Sequence, residues 1–107
     1  MVLGFEIISI PLYTWGMTGM YATITGRVQA VAYRAYVQDA ATKLGLVGYV
    51  RNEPNGSVTV VAQGEPTILK ELVEYLHEGS LLAEVDSVAV EWVTSAAPYD
   101  EFSIQHD

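Results

Sequence analysis

The 107-residue chain has no cysteine, so disulfides, thiolate metal centres and cysteine nucleophiles are all excluded. Imidazole is scarce as well. Only His77 and His106 supply it, one at the end of an expected helix and the other beside the last residue, without metal-ligand spacing, so no metal or other cofactor is expected. Positive charge is the third shortage. Five Lys and Arg stand against thirteen Asp and Glu, a formal net charge of −8. Such a surface cannot neutralise a run of phosphates, which argues against a nucleic-acid partner. Nor is there a stretch of about 20 uninterrupted apolar residues that would span a membrane. The first basic residue is Arg27, so the basic start of a secretory signal is missing and a cytoplasmic location is expected.

Half of the residues are apolar and none of the sequence is of low complexity. That composition and length suit one folded domain. Residues 1–20 differ from the rest: they carry one charge, Glu6, and are interrupted by Gly4, Pro11, Gly16 and Gly19. They read as an N-terminal extension, either disordered or an added edge strand, ahead of a domain spanning residues 21–107. Met17 and Met20 are alternative starting points. Within the extension, Phe5 to Ile10 has the makings of a strand that adds to a sheet edge, in its own chain or a neighbour's. The chain is expected to be a monomer by default, with dimerisation through residues 1–20 as the alternative.

The remaining elements follow from apolar period and turn chemistry. Tyr21 to Val28 is β-prone and runs into an extended loop. From Tyr33, the residues Tyr33, Tyr36, Val37, Ala40, Ala41 and Leu44 recur at helical spacing up to Gly45. Two strands, about Val47 to Asn52 and Ser57 to Gln63, flank the tight-turn pair Asn55-Gly56. Pro66 opens a second helix with the stripe Ile68, Leu69, Leu72, Val73 and Leu76, and Gly79 closes it. Strands at about Val85 to Val93 and Glu101 to Gln105 complete the chain. The order β-α-β-β-α-β, with a short last strand, predicts an α+β fold: a ferredoxin-like split βαβ sandwich with a mainly antiparallel sheet and two helices on one face. Trp92 and Phe102 are expected as aromatic anchors of its core.

Four of the five bases, Arg27, Arg34, Lys43 and Arg51, fall between residues 27 and 51, whereas eleven of the thirteen acids lie at Glu53 or beyond. A small anion is therefore attracted locally. Gly26 allows a turn, and the N–H groups from Gln29 through Ala30, Val31 and Ala32 to Tyr33 have the placement of a backbone nest at a helix start. Arg34 adds a planar, two-pronged grip on phosphate or sulfate. If Asn52 ends a strand lying beside the first, its amide can hold a water near that anion. Asparagine cannot take a proton, so an arginine and an asparagine suit a reaction driven by positioning and charge neutralisation. Phosphoryl transfer to water from a good leaving group is such a reaction, and the carboxylate of an acyl phosphate is such a leaving group. Taken singly, Arg34 could instead pair with Asp39 or Glu53, and Asn52 could be a turn residue.

The segments Gly26 to Arg34 (GRVQAVAYR), Leu44 to Leu46 (LGL), Gly48 to Asn52 (GYVRN) and Gly56 to Val58 (GSV) closely resemble the acylphosphatases. The resemblance runs from about Tyr21 to His106. It implies a small metal-free cytosolic hydrolase that converts acyl phosphates to a carboxylate and inorganic phosphate. Carried over by position, it implies that Arg34 and the loop N–H groups hold the phosphate and that Asn52 orients the attacking water. One position departs: the family carries glycine where this chain has Ala30. If that position needs positive φ, alanine costs about 1–2 kcal/mol. Position 32 varies in the family, and nothing is read into Ala32. The alternatives are an anion-binding module whose turnover is weakened by Ala30, and an interaction domain without chemistry. With no base in the motif, the chemical step is expected to be flat between about pH 5 and 8.

Overall fold

The computed structural model describes residues 18–94 and 99–106. The strand expected at Phe5 to Ile10 lies outside the described residues. Strand β1, Thr18–Arg27, alternates Met20, Ala22 and Ile24 into the core. It starts earlier than the β-prone run suggested, because Met20 continues that alternation and is itself buried. Helix α1, Tyr33–Lys43, buries Tyr33, Val37, Ala40 and Ala41, a stripe at i, i+4, i+7 and i+8. Strands β2, Val47–Asn52, and β3, Val58–Gly64, form the expected hairpin. Helix α2, Pro66–Glu78, buries Leu69, Leu72 and Leu76. Strands β4, Glu84–Thr94, and β5, Phe102–Gln105, follow.

The sheet order is β4-β1-β3-β2-β5. All pairings are antiparallel except β2 with β5, which is parallel. Both helices cover the face that carries Ala22, Ile24, Val50, Val58, Val60 and Ala62, and these side chains with the helix stripes form one core. The ferredoxin-like expectation holds. Two particulars differ. Asn52 does not end a strand beside β1, because β3 lies between them. Trp92 is not a core anchor: it faces Met20 across the β1–β4 ladder yet remains 47% exposed. The cause is its strand. β4 is a sheet edge with a neighbour on one side only, so a ring this large extends past the cover. Phe102 lies on the other edge and is buried, because α1 is bound there: Gln38 Nε2 donates to its carbonyl at 3.2 Å.

Between Thr25 and Gly26 the β1–β4 register shifts. Gly26 has φ 126, and a Cβ there would collide with the Glu84 carbonyl and the Asp86 amide. Only glycine fits this bulge, which bends the chain out of the sheet and into the loop preceding α1. The opposite sheet face is polar. There Glu53 accepts from Thr59 Oγ1 at 2.6 Å and from Arg51 Nε at 3.0 Å, while Arg51 lies 5.5 Å from the Tyr49 ring centroid.

Candidate active site

The loop from Val28 to Ala32 has an unusual backbone. Ala30 and Ala32 hold φ 60 and 61, and among the described residues they are the only non-glycine positions with positive φ. Left-handed residues alternating with ordinary ones turn successive N–H groups inward, which is the geometry of an anion nest. The sequence left open whether position 30 needs positive φ, and the loop shows that it does. Position 32 needs it too, a requirement that its variability concealed.

Ala32 is also the N-cap of α1, with no side-chain cap and no acid in the first turn. The first intrahelical bond runs from the Tyr36 amide to the Ala32 carbonyl at 3.1 Å. The amides of Tyr33, Arg34 and Ala35 therefore have no acceptor within the helix. A helix start that offers donors and no internal carboxylate is suited to an external anion.

Val28, Ala30, Ala32, Tyr33, Arg34, Ala35, Asn52, Ile104 and His106 line a pocket of about 180 Å³ at this helix start. Arg34, half-buried, donates from Nη1 to the Gln105 carbonyl at 3.1 Å. This anchors the guanidinium to β5 and leaves its other donors for a ligand. Neither Asp39 nor Glu53 competes for it, since Asp39 pairs with Lys43 and Glu53 with Arg51. Asn52 ends β2 on the same face as the buried Val50, and its Oδ1 is buried without a hydrogen-bond partner. A buried acceptor left unsatisfied costs about 1–3 kcal/mol.

Asn52 and the loop meet although β3 separates their strands. The loop leaves β1 and crosses β3, and Gln29 fastens it there: its Nε2 donates at 2.8 Å to the carbonyls of both Glu53 and Ser57, which bracket the β2–β3 turn. On the other side Ser80 Oγ donates to the Val31 carbonyl at 3.0 Å. Gln29 and Val31, expected as phosphate contacts, do not line the pocket; two hydrogen bonds from Gln29 and one to Val31 hold the loop in place. Tyr33 lines the pocket and donates from its hydroxyl to the Leu76 carbonyl at 2.8 Å, tying α1 to α2. Burial, reinforced by the neighbouring Tyr36, raises its phenol well above the ordinary value, so Tyr33 stays neutral and is no acid–base group.

Several pocket residues were not foreseen: Val28, Ala35, Ile104 and His106, together with the Gln105 carbonyl that anchors Arg34. Those at the C-terminal end reach the site through the parallel β2–β5 pairing, which sets Val50 beside Ile104. The alternating Phe102 and Ile104 marked that strand as half-buried, but its neighbour could not be read from local pattern.

The sequence model of the acylphosphatase family matches residues 20–104. The chain belongs to the acylphosphatase family. An acylphosphatase of Marinobacter nauticus is 45% identical over 83 residues, 78% of this chain and 90% of that protein. One from Halorhodospira halophila is 49% identical over 82 residues, covering 77% of this chain and 88% of the relative. The crystal structure of the Bacillus subtilis acylphosphatase superposes with a TM-score of 0.81 at 34% identity, covering 83% of this chain and 99% of that one. The family range begins at Met20, inside β1, and ends at Ile104, inside β5, so it takes in both halves of the pocket except His106.

Proposed function

We propose that this acylphosphatase hydrolyses the carboxyl–phosphate bond of acyl phosphates in the pocket at the start of α1. The loop amides and the unpaired amides of the first helical turn would hold the phosphoryl oxygens, and Arg34 would neutralise their charge. Asn52 would orient a water for in-line attack. The water oxygen bonds to phosphorus, the phosphorus–acyl oxygen bond breaks, and its electron pair leaves on the carboxylate. The water's protons pass to phosphate and solvent. A carboxylate is a weak base, so no general acid is required. The observation carrying this reading is the convergence on one pocket of an uncapped helix start, an anchored arginine and an asparagine with a buried, unpaired oxygen. A cytoplasmic location suits a chain without cysteine. No helix among the described residues is long and apolar enough to cross a membrane.

Phosphate release from benzoyl phosphate tests the assignment. Arg34→Ala and Asn52→Ala should each lower kcat/KM by about a hundredfold or more, the scale of losing a pre-organised transition-state contact. Arg34→Ala should also abolish inhibition by inorganic phosphate, whereas Asn52→Ala should leave it largely intact. Retained turnover in Arg34→Ala would refute the reading. The second reading, a module that binds anions without useful turnover, is favoured by one observation, the Ala30 side chain on the pocket wall. Phosphate inhibition in the parent chain without measurable hydrolysis would establish it.

A further inference from the structure

We propose that Ser80, outside the pocket and in the loop after α2, is the positioning residue that keeps the phosphate-binding loop in its working form. This rests on the reading of that loop as a phosphate cradle. The Ser80 hydroxyl donates to the Val31 carbonyl at 3.0 Å across 49 residues of sequence. No described peptide is cis, and in a trans peptide the C=O and N–H point in opposite directions. Holding the Val31 oxygen from the Ser80 side therefore turns the Ala32 N–H toward the other side, where Ala32 lines the pocket.

This peptide unit needs holding more than most. Rotating the Val31–Ala32 peptide by half a turn changes ψ of Val31 and φ of Ala32, and would carry Ala32 from φ 61 into the negative region that alanine prefers. The same rotation would point the Ala32 amide away from the pocket and remove one donor from the anion. Relief of backbone strain thus favours the form that does not bind, and the Ser80 hydrogen bond opposes it. Ser80 is suited to this because its own backbone is fixed on both sides. The Gly79 amide closes α2 onto the Tyr75 carbonyl at 3.0 Å, and the Ala83 amide donates to the Ser80 carbonyl at 3.0 Å.

The test uses the full chain, benzoyl phosphate as substrate and inorganic phosphate as inhibitor. Ser80→Ala should raise the phosphate inhibition constant and lower kcat/KM, each by about three- to tenfold, the range of one neutral hydrogen bond. Ser80→Thr, which keeps the hydroxyl, should restore both. The loss should shrink when Ser80→Ala is made on Ala32→Gly, because glycine is unstrained at this φ and removes the bias toward the rotated form. A lower melting temperature with an unchanged phosphate inhibition constant in Ser80→Ala would overturn the proposal and leave Ser80 as a structural tie. Loss of activity in Arg34→Ala beside an unaffected Ser80→Ala would sink this role while sparing the cradle; retained phosphate inhibition in Arg34→Ala would overturn the cradle itself.

Discussion

At the scale of single residues, two alanines bear the strain that shapes the site. Ala30 and Ala32 sit at φ 60 and 61 in the folded chain, so the penalty falls on folding. The sequence alone made slower turnover conditional on positive φ at position 30; a cost already present in the fold need not be met again when substrate binds. Ala30→Gly should accordingly raise stability by about 1 kcal/mol. For a domain of this size that is about 4–8 °C in melting temperature, while kcat/KM changes less than tenfold. Thermal unfolding beside benzoyl phosphate kinetics measures both. His106 lines the same pocket as Arg34 and Asn52, although no motif marks it.

Among the elements, the decisive one is the crossing between β1 and α1, held at three points: the Gly26 bulge, the Gln29 bonds to the β2–β3 turn, and the Ser80 bond to Val31. Of these the bulge tolerates least. Alanine at position 26 would have to adopt φ 126 and overlap the Glu84 carbonyl, so Gly26→Ala should destabilise the chain by about 3 kcal/mol or more. A midpoint shift of that size in urea unfolding, with the slope unchanged, is the expected result. The elements themselves were legible because each carries a local signal. The Asn55-Gly56 turn, Pro66 at a helix start and the leucine stripe of α2 fixed boundaries to within a few residues. Neighbour relations carry no such signal. The interposition of β3 between β1 and β2, the exposed edge position of Trp92 and the parallel seat of β5 are set by how the sheet closes its core. Arg34 and Asn52 could be named because a motif marks them, whereas His106 and Ser80 arrive at or beside the site through tertiary structure alone.

For the molecule as a whole, the two sheet faces divide the work. One is dry, covered by both helices, and ends in the pocket. The other is polar, with Glu53 bound by Thr59 and Arg51 across β2 and β3. The Thr59 hydrogen bond, and next the Arg51 guanidinium, hold the Glu53 carboxyl below its ordinary value of 4.5. A group whose pKa is lower folded than unfolded stabilises the fold when ionised. Its contribution is therefore complete above about pH 5 and is lost as the pH falls from the ordinary glutamate value through the depressed one. Glu53→Gln should be less stable than the parent near neutrality and should lose less on acidification from pH 5 to 3. Melting temperatures across that interval decide it, and parallel curves for the two chains would dismiss the effect.

The parallel seat of β5 against β2 also sets when the enzyme comes into being. Arg34 is anchored by the Gln105 carbonyl, and the pocket joins residues 28–35 to residues 104–106 across most of the chain. A nascent chain that has not yet delivered residue 105 can form helices and hairpins but has nothing to hold its arginine. Activity should thus appear late in synthesis and all at once, after the slow, long-range closure of the sheet.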